Sequence, residues 1–191
     1  MMKVLVSLFV ISVLLYSCEE TYSPKPSGFH RIDLNKKSYQ TYEADCPFSF
    51  DYPVESLLDD KQENCWMNIH YPQFGSTIHL SYVPIDSSEL AKHIEDSRKL
   101  AMKHLVKAND IKEVLFQNKD SKVYGLSYDF EGNTASNYQF FLTDSNNHFF
   151  RGAMYFNMAP NADSLGPVID YIKLDLEKLI ESFKWVEDGE G

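Results

Sequence analysis

The 191-residue chain is poor in basic residues, in cysteine and in the short motifs that mark common enzymes. It has 18 Lys and Arg against 28 Asp and Glu, so its formal net charge is −10 at neutral pH. A field of that sign repels phosphate backbones and anionic lipid headgroups, which argues against nucleic-acid binding and polybasic membrane attachment. The hydrophobic fraction of 43% is ordinary for a globular domain, which argues against collagen-like, coiled-coil and disordered classes.

Motifs of nucleotide binding, serine hydrolysis and zinc proteolysis are absent. None of the six histidines occurs in His-Glu-x-x-His, and neither Gly-x-Ser-x-Gly nor Gly-x-Gly-x-x-Gly is found. His93 and His104 lie too far apart for one metal ion, about 16 Å along a helix, and we expect His93 to pair with Glu89 instead. His70 and His79 could meet across a hairpin but are typical of surface residues there. The sequence predicts no enzyme, metal site or cofactor.

Two charged features stand out from this background. Arg151 lies within an aromatic strand, between Phe150 and Gly152, where a charge is costly unless it is paired or faces solvent. We favour an outward-facing side chain or a structural ion pair over a ligand contact at Arg151. The run Glu-Asp-Ser-Arg at 95–98 interrupts the apolar stripe of a predicted helix.

The N-terminus has the pattern of a bacterial lipoprotein signal. One positive charge precedes an apolar run over 4–16, which is too short to cross a membrane core that takes roughly 20 apolar residues. Leu15, Ser17 and Cys18 match a lipobox, although Tyr16 is bulkier than usual at its position. A buried N-terminal helix and a signal peptide that is cut elsewhere are the alternatives. We expect Cys18 to carry a diacylglyceryl thioether and an N-acyl chain, which anchor the protein without spanning the bilayer.

This pattern divides the chain into three parts. Residues 1–17 are predicted to be a lipoprotein signal peptide, 18–28 a lipidated tether rich in proline, and 29–187 a single α+β domain. The protein is expected in the cell envelope, held on the periplasmic side of a membrane or at the surface.

Cys46 and Cys65 remain once Cys18 is assigned to the lipid. Two thiols outside the cytoplasm, each beside a predicted strand, indicate a structural disulfide. A metal or redox site is the alternative, but there is no Cys-x-x-Cys spacing and no histidine at an established ligand interval.

Hydrophobic spacing with period two predicts most of the domain to be strand. The predicted strands are 46–53, 65–72, 76–84, 113–117, 122–130, 136–144 and 148–158. The segment 55–64 is polar and is predicted to be a loop.

Two segments have helical spacing instead. Asp86 and Glu89 resemble a capping box, which predicts a helix beginning at about Ser87. A second helix is predicted over 161–185, with Asp163 as its cap. Two main helices flanking six or seven strands joined by short loops imply an α+β fold with a mostly antiparallel sheet.

Several blocks together resemble the GldD family of gliding-motility lipoproteins of Bacteroidetes. They are the lipobox, PKPSGFHRIDL (24–34), DCPFSFDYP (45–53), CWMNIHYP (65–72), IHLSY (78–82), EDSR (95–98), NYQFFLTDS (137–145) and FFRGAMYFN (149–157). The resemblance implies a membrane lipoprotein needed for gliding and connected with type IX secretion, with no enzymatic activity or cofactor to transfer. The order of elements is also similar to the Mog1/PsbP-like α/β/α sandwich, an analogy that carries no function.

Two hypotheses about function follow. The first is an accessory or assembly component of the gliding and secretion apparatus, whose partners are the membrane and protein subunits, without nucleic acid or a small-molecule substrate. The second is an envelope ligand-binding lipoprotein that stacks glycans on aromatic rings without catalysis. The rings considered for it are Trp66, Tyr71, Phe74 and Tyr138.

Overall fold

The structure, a computed structural model, describes residues 34–43, 45–60, 63–157 and 162–186. The chain divides into two units, Met1–Arg31 and Ile32–Gly191, and every described residue belongs to the second. The predicted signal peptide, Cys18 and the tether lie outside the described residues.

The described part of the chain forms ten strands and two α-helices. The strands are β1 (Tyr39–Tyr42), β2 (Phe48–Pro53), β3 (Leu57–Asp59), β4 (Met67–Tyr71), β5 (Ser76–Pro84), β6 (Ala108–Asn118), β7 (Val123–Gly132), β8 (Tyr138–Thr143), β9 (His148–Phe156) and β10 (Lys184–Trp185). The helices are α1 (Leu90–Met102) and α2 (Ala162–Ser182).

Seven strands form the main sheet, in the order β3-β4-β5-β9-β8-β7-β6. All neighbouring pairs are antiparallel. Strands β1, β2 and β10 form a small second sheet with β2 in the middle. The predicted α+β class with a mostly antiparallel sheet is confirmed.

The main core lies between the main sheet, α2 and the small sheet. Phe48 and Phe50 of β2 point into it, and both are fully buried. The ring of Phe150 in β9 lies 4.9 Å from Phe48 and 5.0 Å from Phe183 at the end of α2. Buried aromatic rings each remove a large apolar area from water, so this contact holds the three layers together.

The opposite face of the main sheet is covered by α1 over part of its width. Alternation along β9 places Phe149 on this face, where it packs with Phe141 of β8 against Leu90 and Ile94. Ser97 is buried here, which explains why a small polar residue interrupts the apolar stripe of the helix.

Two predicted helix starts are wrong. Helix α1 begins at Leu90 rather than at Ser87, because the preceding residues form turns in which Asp86 accepts hydrogen bonds from Ser88. Helix α2 begins at Ala162, so Asp163 is its second residue and not its cap. The predicted loop over 55–64 contains the short strand β3.

Gly125 in β7 allows two strands to approach closely, which yields a test of the packing. A Cβ atom there would lie 2.1 Å from the backbone oxygen of Phe141, which cannot move without disturbing β8. We expect Gly125→Ala to lower the free energy of unfolding by about 2 kcal/mol, measured by denaturant titration. Gly166→Ala is the control, because nothing lies within 4 Å of a Cβ there. In α2 that change should stabilise by roughly 0.5–1 kcal/mol. Equal effects of the two variants would contradict the packing described.

Candidate functional site

A buried carboxylate connects α2 to the segment that leads back toward the N-terminus. The side chain of Asp175 is 1% exposed. It accepts hydrogen bonds from the Lys37 ammonium at 2.6 Å and from the hydroxyls of Tyr39 and Tyr71 at 3.0 Å each. Three donors and one opposite charge offset much of the desolvation of a buried carboxylate.

The same lysine contacts α2 at a second residue. The Lys37 Nζ atom lies 3.0 Å from the ring centroid of Tyr171 and donates to its carbonyl oxygen at 2.8 Å. The Tyr171 hydroxyl in turn donates to the carboxylate of Glu55. We call Lys37, Tyr39, Tyr71, Tyr171 and Asp175 the anchor cluster, because it fixes the chain before β1 to the core.

Burial perturbs the ionisation of both charged members of the anchor cluster. Desolvation raises the pKa of Asp175, and its bonds to Lys37, Tyr39 and Tyr71 oppose the rise. Desolvation lowers the pKa of Lys37, while the carboxylate of Asp175 opposes that change. For each of the two groups, desolvation disfavours the charged form and the attraction between the two charges favours it.

Beside the apolar contacts of α1, the same face of the main sheet presents polar side chains. In one row across the sheet, His79 of β5 lies opposite Ala153 of β9, and Ala153 lies opposite Gln139 of β8. Arg151 and Tyr155 flank Ala153 along the strand on the same face. We call this surface the polar face.

Arg151 lies on the face of the sheet away from the main core, and no carboxylate of the described chain forms an ion pair with it. Its side chain is half-buried and donates from Nη2 to the Gln139 Oε1 atom at 2.6 Å. Of the two interpretations favoured from the sequence, the outward-facing side chain agrees with this position, and the ion pair is not found among the described residues, where Arg151 has the neutral partner Gln139.

The four histidines considered from the sequence fall into three environments. The ring of His93 packs against Phe149 at 5.4 Å, so the predicted pair with Glu89 is wrong; the Glu89 carboxylate accepts from the Asp86 backbone instead, at 3.4 Å. His70 bonds to a threonine of β5. His79 and His104 both lie against the Tyr155 ring, at 5.7 and 6.2 Å.

Most of the rings considered for glycan stacking belong to the core. Tyr71 and Tyr138 are buried and Phe74 packs against the main core. Trp66 is 47% exposed, and its indole N–H donates to the Tyr82 carbonyl oxygen at 2.9 Å. The four rings therefore do not form one exposed platform.

Strand β6 forms one edge of the main sheet and was not singled out by sequence. Leu115 in this strand is 82% exposed, and Val106 just before it is 90% exposed. On the other face, a cavity of about 210 Å³ separates β6 from α2. It is lined by Lys112, Val114, Phe116, Ser127, Asp129, Tyr138, Glu177 and Glu181.

Cys46 and Cys65 are joined by a disulfide in the structure, with Cα atoms 5.8 Å apart. This separation is typical of natural disulfides. The bond joins the chain two residues before β2 to the chain two residues before β4, and so ties the small sheet to the main one. Its formation in the mature protein stays a prediction.

Over the described ranges, no three His, Cys, Asp or Glu side chains come together as they would around a metal ion. No helix in the same ranges has both the length and the apolarity to cross a membrane.

Comparison with known families decides the relationship of the chain. The model of the family described as gliding motility lipoprotein GldD matches residues 19–185. The chain belongs to this family. Comparison with the curated proteins finds no matching sequence. The GldD family is one of lipoproteins of gliding motility and not a known enzyme family, so membership also implies association with the cell envelope.

The anchor cluster of this GldD-family lipoprotein makes its stability depend on pH. Lys37→Met removes the cation, so the pKa of Asp175 in the folded protein rises further above its unfolded value. A raised folded-state pKa favours folding at low pH, and that contribution is lost as pH rises through the folded pKa. We expect the variant to be about 3 kcal/mol less stable than the wild type at pH 7, with a smaller difference below pH 4.

Denaturant titrations across pH 3.5–8 measure this difference. Lys178→Met is the matched control, because its ion pair with Asp51 is partly exposed and should contribute less than about 1 kcal/mol. A Lys37→Met penalty that did not change with pH would show that Asp175 is not the group responsible.

The disulfide is tested by thiol labelling of the mature chain with Cys18→Ala, which leaves two cysteines. We expect no labelling under denaturing conditions until a reductant is added, and two labels afterwards. Reduction should lower the free energy of unfolding by roughly 3 kcal/mol, because it frees a loop of about 20 residues in the unfolded chain. Two free thiols without reductant would refute the pairing.

Proposed function

We propose that this GldD-family protein is a lipid-anchored accessory or assembly component of the gliding and type IX secretion apparatus. It acts through contacts with protein subunits and has no catalytic role. The observation that carries the proposal is the family match over residues 19–185, nearly the whole predicted mature chain.

The proposed anchor is Cys18, with residues 18–28 as a tether to the folded domain. The anchor cluster supports this arrangement from the domain side. Lys37 and Tyr39 hold the first described residues against Asp175 of α2, so a pull on the tether would act on the main core and not on a loose end.

The edge of β6 supports contacts with proteins. An edge strand presents backbone N–H and C=O groups that an extended segment of a partner can pair with. Leu115 and Val106 add exposed apolar area beside that edge, and apolar side chains at such positions favour association. Glu177 and Glu181 line the adjoining cavity, so a partner segment with basic residues would be complementary to it.

The glycan-binding alternative loses support because two of its four rings are buried. Stacking on a sugar needs an accessible ring face, and Tyr71 and Tyr138 offer none. Phe74 is partly buried against the main core, so Trp66 is the one ring of the four that is largely exposed.

The proposal is tested by affinity purification of the tagged protein from detergent-extracted membranes of its native cell. We expect motor or secretion-channel subunits to copurify, and recovery to fall at least severalfold with Cys18→Ala and with Leu115→Lys. The lysine places a charge at the exposed β6 edge, where a surface substitution changes stability by only about 0.5 kcal/mol.

Leu57→Lys is the matched control, since Leu57 is an exposed leucine of β3, at the opposite edge of the main sheet. Loss of partners with Leu115→Lys but not with Leu57→Lys would identify the β6 edge as an interface. A protein that is recovered alone from every extraction, in cells that spread and secrete normally after its deletion, would refute the proposal.

A further inference from the structure

A short 3-10 helix, Lys103–Lys107, joins α1 to β6 and turns apolar side chains toward solvent. None of its five residues is buried. Val106 is 90% exposed and Leu105 is 42% exposed. Two adjacent apolar side chains that contribute so little to the core are available for a contact outside the domain.

A cavity of about 220 Å³ lies between this helix and the loop that joins β7 to β8. It is lined by Lys103, His104, Val106, Lys107, Thr134 and Ala135. We call these six residues and Leu105 the basic tip. None of the seven carries a carboxylate, and the volume is several times the ~30 Å³ that one water molecule occupies in the liquid. The cavity is therefore large enough for a phosphate group.

The basic tip has two positive charges that the protein does not neutralise. Lys103 and Lys107 are exposed, and neither forms an ion pair with a carboxylate of the described chain. Burial and the nearby Arg151 lower the pKa of His104, so its imidazole is neutral at pH 7. Two acids, Asp110 and Glu131, follow in the sheet, where they lie opposite each other in β6 and β7.

The basic tip lies at the end of the main sheet where the first described residues are held. Strand β6 begins and β7 ends beside the tip. Because all neighbouring strands are antiparallel, β4 also ends there, at Tyr71. Tyr71 donates to Asp175, which accepts from Lys37 as well. The segment that leads back toward Cys18 and the basic tip therefore share one end of the sheet.

We propose that the basic tip is a membrane-contact surface that binds the phosphate-bearing headgroups of an anionic bilayer. Val106 enters the headgroup region, and Lys103 and Lys107 contact lipid phosphates. Lysines beside exposed apolar side chains are typical of segments that lie in the membrane interface.

A bilayer is favoured over an acidic protein as the occupant because membership of a lipoprotein family implies association with the cell envelope. The net charge of −10 opposes attachment only weakly at contact, since charges more than about 8 Å away are largely screened at physiological salt. The inference takes nearness to the membrane from the proposed lipid anchor, and it does not depend on the gliding and secretion apparatus.

The experiment uses the mature chain with Cys18→Ala, so that acyl chains do not dominate binding. Cosedimentation is measured with vesicles of phosphatidylethanolamine and phosphatidylglycerol, and with vesicles of phosphatidylcholine alone. We expect binding to the anionic vesicles that weakens as salt is raised, and binding to phosphatidylcholine that is at least fivefold weaker.

Neutralising the two lysines tests their role. Lys103→Gln with Lys107→Gln should lower binding to anionic vesicles at least tenfold, because each lysine near an anionic surface contributes about fivefold. Lys119→Gln with Lys184→Gln is the control with the same change of charge. Both of these lysines are exposed and lie away from the tip: Lys119 follows the far end of β6, and Lys184 precedes Trp185, which stacks on His148 at the start of β9.

Substitution of Val106 tests the apolar contact in both directions. Val106→Ser should weaken binding severalfold, and Val106→Trp should strengthen it severalfold, because tryptophan favours the membrane interface. A gain of binding cannot result from a damaged fold. Val186→Ser and Val186→Trp are the controls, since Val186 is 46% exposed beside Trp185, at the opposite end of the main sheet, and neither should change binding.

Equal binding to both kinds of vesicle, or wild-type binding by the folded variant that lacks both lysines, would overturn the proposal. A protein whose Lys103 and Lys107 resonances shift with inorganic phosphate, but which does not bind anionic vesicles, would overturn its assignment to a membrane. The vesicle assay contains no partner subunits. Failure of the copurification therefore leaves this inference standing, and failure of vesicle binding leaves the proposed function standing.

Discussion

The packing of Phe48 and Phe50 against Phe150 and Phe183 is the contact on which the rest of the domain depends. The four rings come from the small sheet, the main sheet and the end of α2, with neighbouring ring centroids 4.9 to 6.5 Å apart. The small sheet has strands of only 4, 6 and 2 residues, and such short strands are not stable alone in water. The aromatic contact supplies the packing that stabilises them. The position of α2 over the main sheet follows from it.

The anchor cluster is possible only because α2 is held in that position. Asp175 lies on the inner side of the helix, where water is excluded, and a carboxylate there needs the donors that Lys37, Tyr39 and Tyr71 provide. Apolar packing thus sets where the buried charge lies, and the buried charge sets where the N-terminal segment must lie. Removing a partner of a buried charge is more damaging than replacing the pair by apolar groups, so the cluster specifies one path for the chain.

Sequence patterns predicted the large elements because each of them buries one face. Strand β5 has the predicted bounds, and the apolar stripe of α2 matches the buried residues Val168, Ile172 and Leu176. Strands β1, β3 and β10 were missed, since two to four residues are too few for a period to be visible. The anchor cluster was missed for a different reason: Lys37 and Asp175 are 138 positions apart, and only the fold brings them together. Arg151 was identified as unusual, but its neutral partner Gln139 depends on the register of β8 with β9.

The two faces of the main sheet differ in how they are covered. The face under α2 is closed by aromatic packing, and the segment that contains Lys37 and Tyr39 is fixed to that helix. The other face is closed only over β7, β8 and part of β9, because α1 is too short to cover seven strands. A sheet face that stays open must be polar to remain in water, and this explains His79 and the other polar residues of β5. Gln139 of β8 lies on the same face but is buried, so its amide oxygen depends on the Arg151 guanidinium at 2.6 Å and not on water. Where this face is closed, a polar side chain therefore needs a partner from the neighbouring strand.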